Sequence, residues 1–326
     1  MNIDGTMTAA VQTERGGAET LSTAQIPVPS PGPGEVLVRV HRAAVNFADE
    51  RTCRSGMNHL SGRVEGLPFT PGGEIVGARV DTGERVVAIS GKGGFAQYAL
   101  VDESATYPIP PDLDEESALS VFVPGLTAGL LLDVTRPQKD DCTVVSGATG
   151  AIGTLLLQLL GSSGQSHVVA VASPSADVER LRSFGASTVV PSDSEDLTSV
   201  LRAAAEDRPI GLILDSIGGP VLEAAVAALG RRGRLVSYGS SSNAAATVAP
   251  RSLIFGSREI AGFWVLDHLD NRSRVVDVLA DLFRAVLDSR LRVDPPTVFA
   301  LDDVAGAMAA TAQRGRTCRV LIDPWK

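Results

Sequence analysis

Residues 143–153 carry the clearest chemistry in the chain. Thr143-Val144-Val145-Ser146 is an apolar, strand-like run. It leads through Gly147-Ala148-Thr149-Gly150-Ala151-Ile152-Gly153 into the helix-like Thr154-Leu155-Leu156-Leu157-Gln158. A strand that turns through glycines into a helix points backbone N–H groups, and the positive end of the helix dipole, at whatever lies beyond the turn. That is a site for an anion, and above all for a pyrophosphate. The pattern Ala148-x-Gly150-x-x-Gly153 puts Ala where a dinucleotide-binding turn usually has its first glycine. Gly150 leaves room for the backbone to approach the pyrophosphate, and Gly153 lets the helix pack closely on the strand. Ala151 and Ile152 open the helix whose N–H groups face the ligand. Tight turns also use glycines for purely structural ends. Here the flanking strand, the helix and the alternation that follows favour a dinucleotide.

The end of the next strand bears on which dinucleotide is bound. Enzymes that prefer NAD usually place Asp or Glu there, against the ribose 2′-hydroxyl. After Val168-Val169-Ala170-Val171-Ala172 this chain has Ser173, which repels no 2′-phosphate. Arg180 and Arg182 follow on a helical segment and can supply positive charge. The expectation is NADPH, with NADH as second candidate.

These residues need a frame. From about 125 to 262, strand-like and helix-like segments alternate: 142–146, 153–160, 168–172, 177–184, 212–215, 222–229 and 234–238. Such alternation predicts a parallel sheet wrapped by helices. Residues 7 to about 120 read differently, as short apolar alternations such as Glu35–Val40 and Glu84–Ile89 between Gly/Pro clusters, a β-rich pattern. The last ~65 residues hold an amphipathic helix, Ser273–Leu287, and short strands ending at Val320-Leu321-Ile322.

Composition narrows the function classes. A chain of 326 residues exceeds one domain on a prior of ~150 residues each. The net charge is −9 and no Lys/Arg run stands out, which disfavours a nucleic-acid partner. No stretch approaches ~18 consecutive apolar residues, so no membrane span is expected. The first residues lack the basic-then-apolar order of a secretory signal. Cys53, Cys142 and Cys318 are far apart and odd in number, which predicts a reducing, cytoplasmic setting without a disulfide framework.

With these residues in view, the chain resembles the zinc-independent quinone oxidoreductase-like and trans-2-enoyl reductase-like branch of the medium-chain dehydrogenase/reductases. The similarity runs over essentially the whole length. It is carried by Pro31-Gly32-Pro33-Gly34-Glu35-Val36-Leu37-Val38, Ala44-Val45-Asn46-Phe47-Ala48-Asp49, Thr70-Pro71-Gly72-Gly73-Glu74-Ile75-Val76-Gly77 and Gly94-Phe95-Ala96-Gln97-Tyr98. Gly233–Gly239, Ser252–Phe255 and Ala261–Trp264 add to it, the last three looking most like enoyl reductases. The resemblance implies an α/β protein with a GroES-like β-rich catalytic domain and a Rossmann doubly wound parallel-sheet cofactor domain. Its expected boundaries are 1–124, 125–262 and a C-terminal return over 263–326. A homodimer acting on a small molecule is the expected assembly.

Zinc-dependent relatives have Cys where Asn46 stands and His where Gly73 stands. Zinc takes thiolate and imidazole ligands, which an amide and a glycine cannot replace. His41, His59, His167 and His268 are scattered and read as surface or packing residues. Zinc is therefore not expected. Without a Lewis acid, the reaction depends on placing the nicotinamide against an activated double bond and on hydrogen-bond donors for the developing enolate or quinol oxygen.

By resemblance, Asn46 lies beside the nicotinamide ribose or the substrate carbonyl, and Thr127 at the domain junction. Tyr238, Phe263 and Trp264 line the nicotinamide cleft, and Arg319 completes the cofactor set. The bland alternatives are a turn cap for Asn46 and core packing for the aromatics. Two departures stand out. Where enoyl reductases have a Tyr a few residues after the Asn, as a candidate proton donor, this chain has Glu50-Arg51-Thr52-Cys53, which leaves Arg51, Cys53 or water for that role. Positions where relatives carry a Lys and a Tyr near the cofactor phosphate hold Asp177 and Ser192. The expected activity is NADPH-dependent reduction of an activated C=C bond or a quinone. The alternatives are a tailoring reductase for one biosynthetic intermediate and a catalytically silent cofactor-binding protein.

Overall fold

The computed structural model describes residues 5–58, 63–313 and 318–326; His59 lies outside them. The chain divides into two compact units, Met1–Val123 with Arg272–Lys326, and Pro124–Asn271. Phe263 and Trp264 belong to the second.

The first unit is β-rich. Thr6–Gln12 (β1) pairs antiparallel with Leu21–Pro27 (β2). The main sheet uses Glu35–Ala44 (β3), Glu74–Arg79 (β4), Arg85–Ile89 (β5), Tyr98–Asp102 (β6) and Thr106–Pro108 (β7). Val36, Val38 and Val40 recur every second residue along β3, so they share one face and enter the same core as Ile75, Val86 and Phe95. A short helix, Phe47–Ser55 (α1), follows β3 at Asn46 and ends at Gly56, whose φ is +77°. The long helix Glu115–Thr135 (α2) starts with two acidic residues, where the helix dipole favours them. His41 and Arg85 hold Glu115 at 2.9 and 3.0 Å, and Arg42 holds Glu116 at 2.9 Å, which anchors this first turn to β3 and β5. By length and composition alone α2 is apolar enough to cross a membrane, yet 67% of its apolar window is buried, as in the core helix of a globular protein.

The second unit holds six parallel strands: Cys142–Ser146 (β8), His167–Ala172 (β9), Thr188–Pro191 (β10), Ile210–Asp215 (β11), Arg234–Ser237 (β12) and Glu259–Gly262 (β13). Their order is β10-β9-β8-β11-β12-β13. Every residue of β8 and β9 is buried, as expected of strands covered on both faces. The connecting helices are Ala151–Ser162 (α3), Val178–Ser183 (α4), Leu197–Ala204 (α5), Gly219–Ala228 (α6) and Pro250–Ile254 (α7). The strand order reverses between β8 and β11. In open parallel sheets, ligands bind beyond the carboxyl ends of the strands at such a point.

The chain then returns to the first unit. Arg272–Leu287 (α8) buries Val275, Val278, Leu279, Leu282 and Phe283, a one-sided helical stripe. Thr297–Ala300 (β14) and Val320–Asp323 (β15) extend the main sheet to the order β14-β15-β3-β4-β5-β7, and Val304–Ala312 (α9) packs Val304, Ala307 and Met308 into its core.

Candidate active site

In the second unit the glycine turn sits at the carboxyl end of β8. Gly150 is the residue before α3, with extended backbone (φ −73°, ψ 166°), and Ala151 and Ile152 form the first helical turn. Contacts that a Cβ would make separate the glycines. At Gly153 it would lie 2.4 Å from Gly147 O and 2.8 Å from Ala148 Cα, so only glycine lets the helix sit this close to the turn. At Gly150 it would meet nothing nearer than Gly147 O at 3.3 Å. The space above Gly150 is thus open to a ligand. Gly147, which the sequence reading did not single out, has φ +63°, and its Cβ would fall 2.4 Å from Ser216 Oγ.

A buried carboxylate shapes this turn and was also missed. Asp215, the last residue of β11, is fully buried. It accepts hydrogen bonds from Ser146 Oγ (2.5 Å), Gly218 N–H (3.0 Å) and Ile217 N–H (3.3 Å). Ser146 Oγ in turn accepts from Ser216 N–H at 3.1 Å. The carboxylate therefore ties the end of β8 to the loop after β11. An Asp closing a strand beside the glycine turn was visible in the sequence, but its partner 69 residues away was not. Tyr238, just after β12, donates its backbone N–H to Asp215 O at 2.9 Å. Its hydroxyl is buried beside Ser216, and burial pushes its pKa up.

Ser173 follows β9 and shares a hydrogen bond of 3.0 Å with Ser175 Oγ. Asp177 caps α4 by accepting from Arg180 N–H at 3.0 Å. The Arg180 guanidinium lies 4.8 Å from the centre of the Phe184 ring, while exposed Arg182 pairs with Glu179 at 2.8 Å. Thr127 is buried on α2. Phe263 is buried and stacks on His268, whereas Trp264 is 45% exposed.

In the first unit, Asn46 lies between β3 and α1 and is half-buried. Its side chain is held at both ends. Nδ2 donates to Glu74 Oε2 at 2.9 Å, and Oδ1 accepts from the Arg319 guanidinium at 3.0 Å. Arg319 also donates to Glu74 Oε2 at 2.7 Å, and Glu74 Oε1 accepts from Val123 N–H at 3.1 Å. Glu74 and Arg319 are both buried. Asp49 accepts the backbone N–H groups of Asn46 (2.8 Å) and Gly72 (3.2 Å), tying the start of α1 to the loop before β4. Burial raises its pKa to about 7 against the pull of those two donors.

Of the two sequence candidates for proton donor, Arg51 places its guanidinium 5.5 Å from the centre of the Phe47 ring. The Cys53 thiol is fully buried, and its pKa is pushed up to about 12, first by burial and then by Asp49 and Glu50. His41 pairs with Glu115, and His167 Nε2 lies 2.7 Å from Ala204 O, so both have packing partners.

Two family models match the chain. The alcohol dehydrogenase GroES-like domain covers residues 32–111, and the zinc-binding dehydrogenase model covers 151–281. The chain is 26% identical over 306 residues to a probable quinone oxidoreductase of Schizosaccharomyces pombe, across 90% of each chain. The chain belongs to the medium-chain dehydrogenase/reductase superfamily, in its quinone oxidoreductase-like branch. A mycobacterial structure complexed with NADPH aligns with TM-score 0.87 and 26% identity, covering 98% of this chain and all of that one. The quinone oxidoreductase from Thermus thermophilus, also solved with NADPH, aligns with TM-score 0.79 and 27% identity, covering 97% of this chain and all of that one.

The second model's description names zinc, but the residues here do not suit that ion. A guanidinium already lies against Asn46 and Glu74, and Gly73 offers no side chain. Among the described residues, no three His, Cys, Asp or Glu are grouped to hold a metal.

Proposed function

We propose that this oxidoreductase transfers reducing equivalents from NADPH, without zinc, to an activated C=C bond or a quinone. The enzyme is NAD(P)H-dependent and its cofactor is NADPH. One observation carries the reading: the open space above Gly150, at the helix N-terminus where the sheet order reverses. Gly150, Ala151 and Ile152 would hold the pyrophosphate, with Gly153 letting the helix approach the turn closely, and Ser173, Arg180 and Arg182 would meet the adenosine phosphate. Thr127, Tyr238, Phe263 and Trp264 serve the nicotinamide half. Bound NADPH is a hydride donor. The protein's part is to orient the acceptor, exclude water and supply hydrogen bonds to the oxygen on which charge develops. Asn46 is the residue we assign to that contact, or to the nicotinamide ribose. For the proton, water fits better than either side chain: the Cys53 thiol is buried with its pKa pushed up to about 12, and a guanidinium such as that of Arg51 does not give up its proton at neutral pH.

The test is a panel of quinones, enones and enoyl thioesters offered with NADPH and with NADH, following loss of the reduced nicotinamide. Cofactor affinity is measured separately. Tight binding with no turnover on any acceptor class would refute the reductase reading in favour of a silent binder.

A homodimer in a cytoplasmic setting belongs to the same proposal. All four residues of the edge strand β13 are exposed, and nearby Ile254 and Phe255 are 68% and 66% exposed. Apolar groups beside an unpaired strand edge favour pairing with another copy. None of the three cysteines is in a disulfide. Light scattering on the parent and on Phe255→Asp tests the dimer, which the substitution is expected to weaken. A monomeric parent would refute it.

A further inference from the structure

A neutral carboxamide can flip about its last bond, exchanging a donor for an acceptor, unless its neighbours forbid it. At Asn46 they do. Oδ1 faces a guanidinium, which only donates, and Nδ2 faces a carboxylate, which only accepts. Flipping would set NH2 against Arg319 and oxygen against Glu74, trading two charge-assisted hydrogen bonds for two repulsions. The lock is itself rigid, because Glu74 is wholly buried and Arg319 nearly so, and they are bonded to each other. Nδ2 carries a second hydrogen for which the described residues provide no partner, and Asn46 is not fully buried.

We propose that Glu74 and Arg319 are positioning residues that lock Asn46 as a hydrogen-bond donor toward an acceptor oxygen of the bound ligand. This rests on the reading above, that Asn46 meets cofactor or substrate. The acceptor is a neutral or developing-negative oxygen, either a ribose hydroxyl of the cofactor or the carbonyl of the reducible substrate. Arg319 thus acts through Asn46. The arrangement also replaces a metal in kind: where a cation would polarise the oxygen directly, an amide polarised between a guanidinium and a carboxylate does so through N–H.

The experiment exchanges the charges. Asn46→Asp alone sets two carboxylates together, so loss of stability would confound its interpretation. The double variant Asn46→Asp/Glu74→Gln keeps the charge balance and a carboxylate partner for Arg319, moved from 74 to 46, but leaves no donor at 46. Thermal midpoint, NADPH dissociation constant by fluorescence, and kcat and KM with benzoquinone are measured on the full-length protein, along with Glu74→Gln and Asn46→Ala.

The double variant is expected to regain most of the stability lost in Asn46→Asp while ligand binding or turnover stays about tenfold or more below the parent. A loss in NADPH affinity places the acceptor on the cofactor. A loss confined to kcat/KM places it on the substrate. Glu74→Gln, which leaves Arg319 on Oδ1 but replaces the carboxylate facing Nδ2 by a neutral amide and so weakens one end of the lock, is expected to lose severalfold in the same parameter. Recovery of function together with stability in the double variant would overturn the donor assignment. Function unchanged in Glu74→Gln would overturn the lock. An Asn46→Ala protein that binds and turns over like the parent would instead refute the underlying reading that Asn46 meets the ligand.

Discussion

Gly150→Val separates binding from folding. Gly150 has backbone angles that valine adopts readily, and its new Cβ would meet a single atom, Gly147 O, at 3.3 Å. Losing glycine before the helix costs about 1 kcal/mol or less. The fold is therefore expected to survive. The isopropyl group would occupy the space in which a pyrophosphate approaches the N–H groups at the start of α3. Each charge-assisted hydrogen bond lost there weakens binding by about 1.5–3 kcal/mol, roughly ten- to a hundredfold.

Gly153→Ala has the opposite profile. Its Cβ would sit 2.4 Å from Gly147 O and 2.8 Å from Ala148 Cα, both backbone atoms that move only with the turn itself. Overpacking of this kind costs about 1–3 kcal/mol of stability. The assay pairs NADPH titration by fluorescence with denaturant unfolding for both variants. Gly150→Val binding NADPH as tightly as the parent would show that the pyrophosphate lies elsewhere. A Gly153→Ala protein of parental stability would show that the close approach of helix and turn is not a constraint.

Asp49 has a pKa raised by burial from 3.8 to about 7, so its stabilising contribution is full below about pH 4 and lost as pH rises through about 7. Denaturation across pH 5–8 should show a fall in the parent that Asp49→Asn flattens; equal slopes would exclude Asp49 as its source. Arg180→Ala and Arg182→Ala are each expected to weaken NADPH by up to about tenfold while sparing NADH. Equal losses for both cofactors would show that neither arginine reads the 2′-phosphate. Elemental analysis of protein purified without added metal should find no stoichiometric zinc, and one tightly held zinc per chain would contradict the donor-set argument at Asn46 and Gly73.

The elements framing the candidate site follow from local pattern. The valines of β3 recur at the period of a strand, the buried stripe of α8 at the period of a helix, and the strand–glycine–helix order at 143–158 dictates an N–H-lined turn wherever it occurs. Such features depend on neighbours within a few residues, so the sequence displays them. Asn46 was legible only as a residue type standing where relatives have a metal ligand. Its partners were not, because Glu74 and Arg319 lie far along the chain, the latter 273 residues away. Glu74 stood in a motif that carries the resemblance and Arg319 among the cofactor candidates, but no period or motif links either of them to Asn46. The same holds for Asp215, whose burial is tolerable only because Ser146 and two backbone N–H groups converge on it. Sequence by itself determined the strands β8 and β9 and the glycine turn that joins β8 to α3, whereas α1, inside a stretch that reads as β-rich, was not displayed. The tertiary structure decided which charges are buried and paired, because burying a charge is affordable only once packing has brought its distant partners within hydrogen-bonding distance.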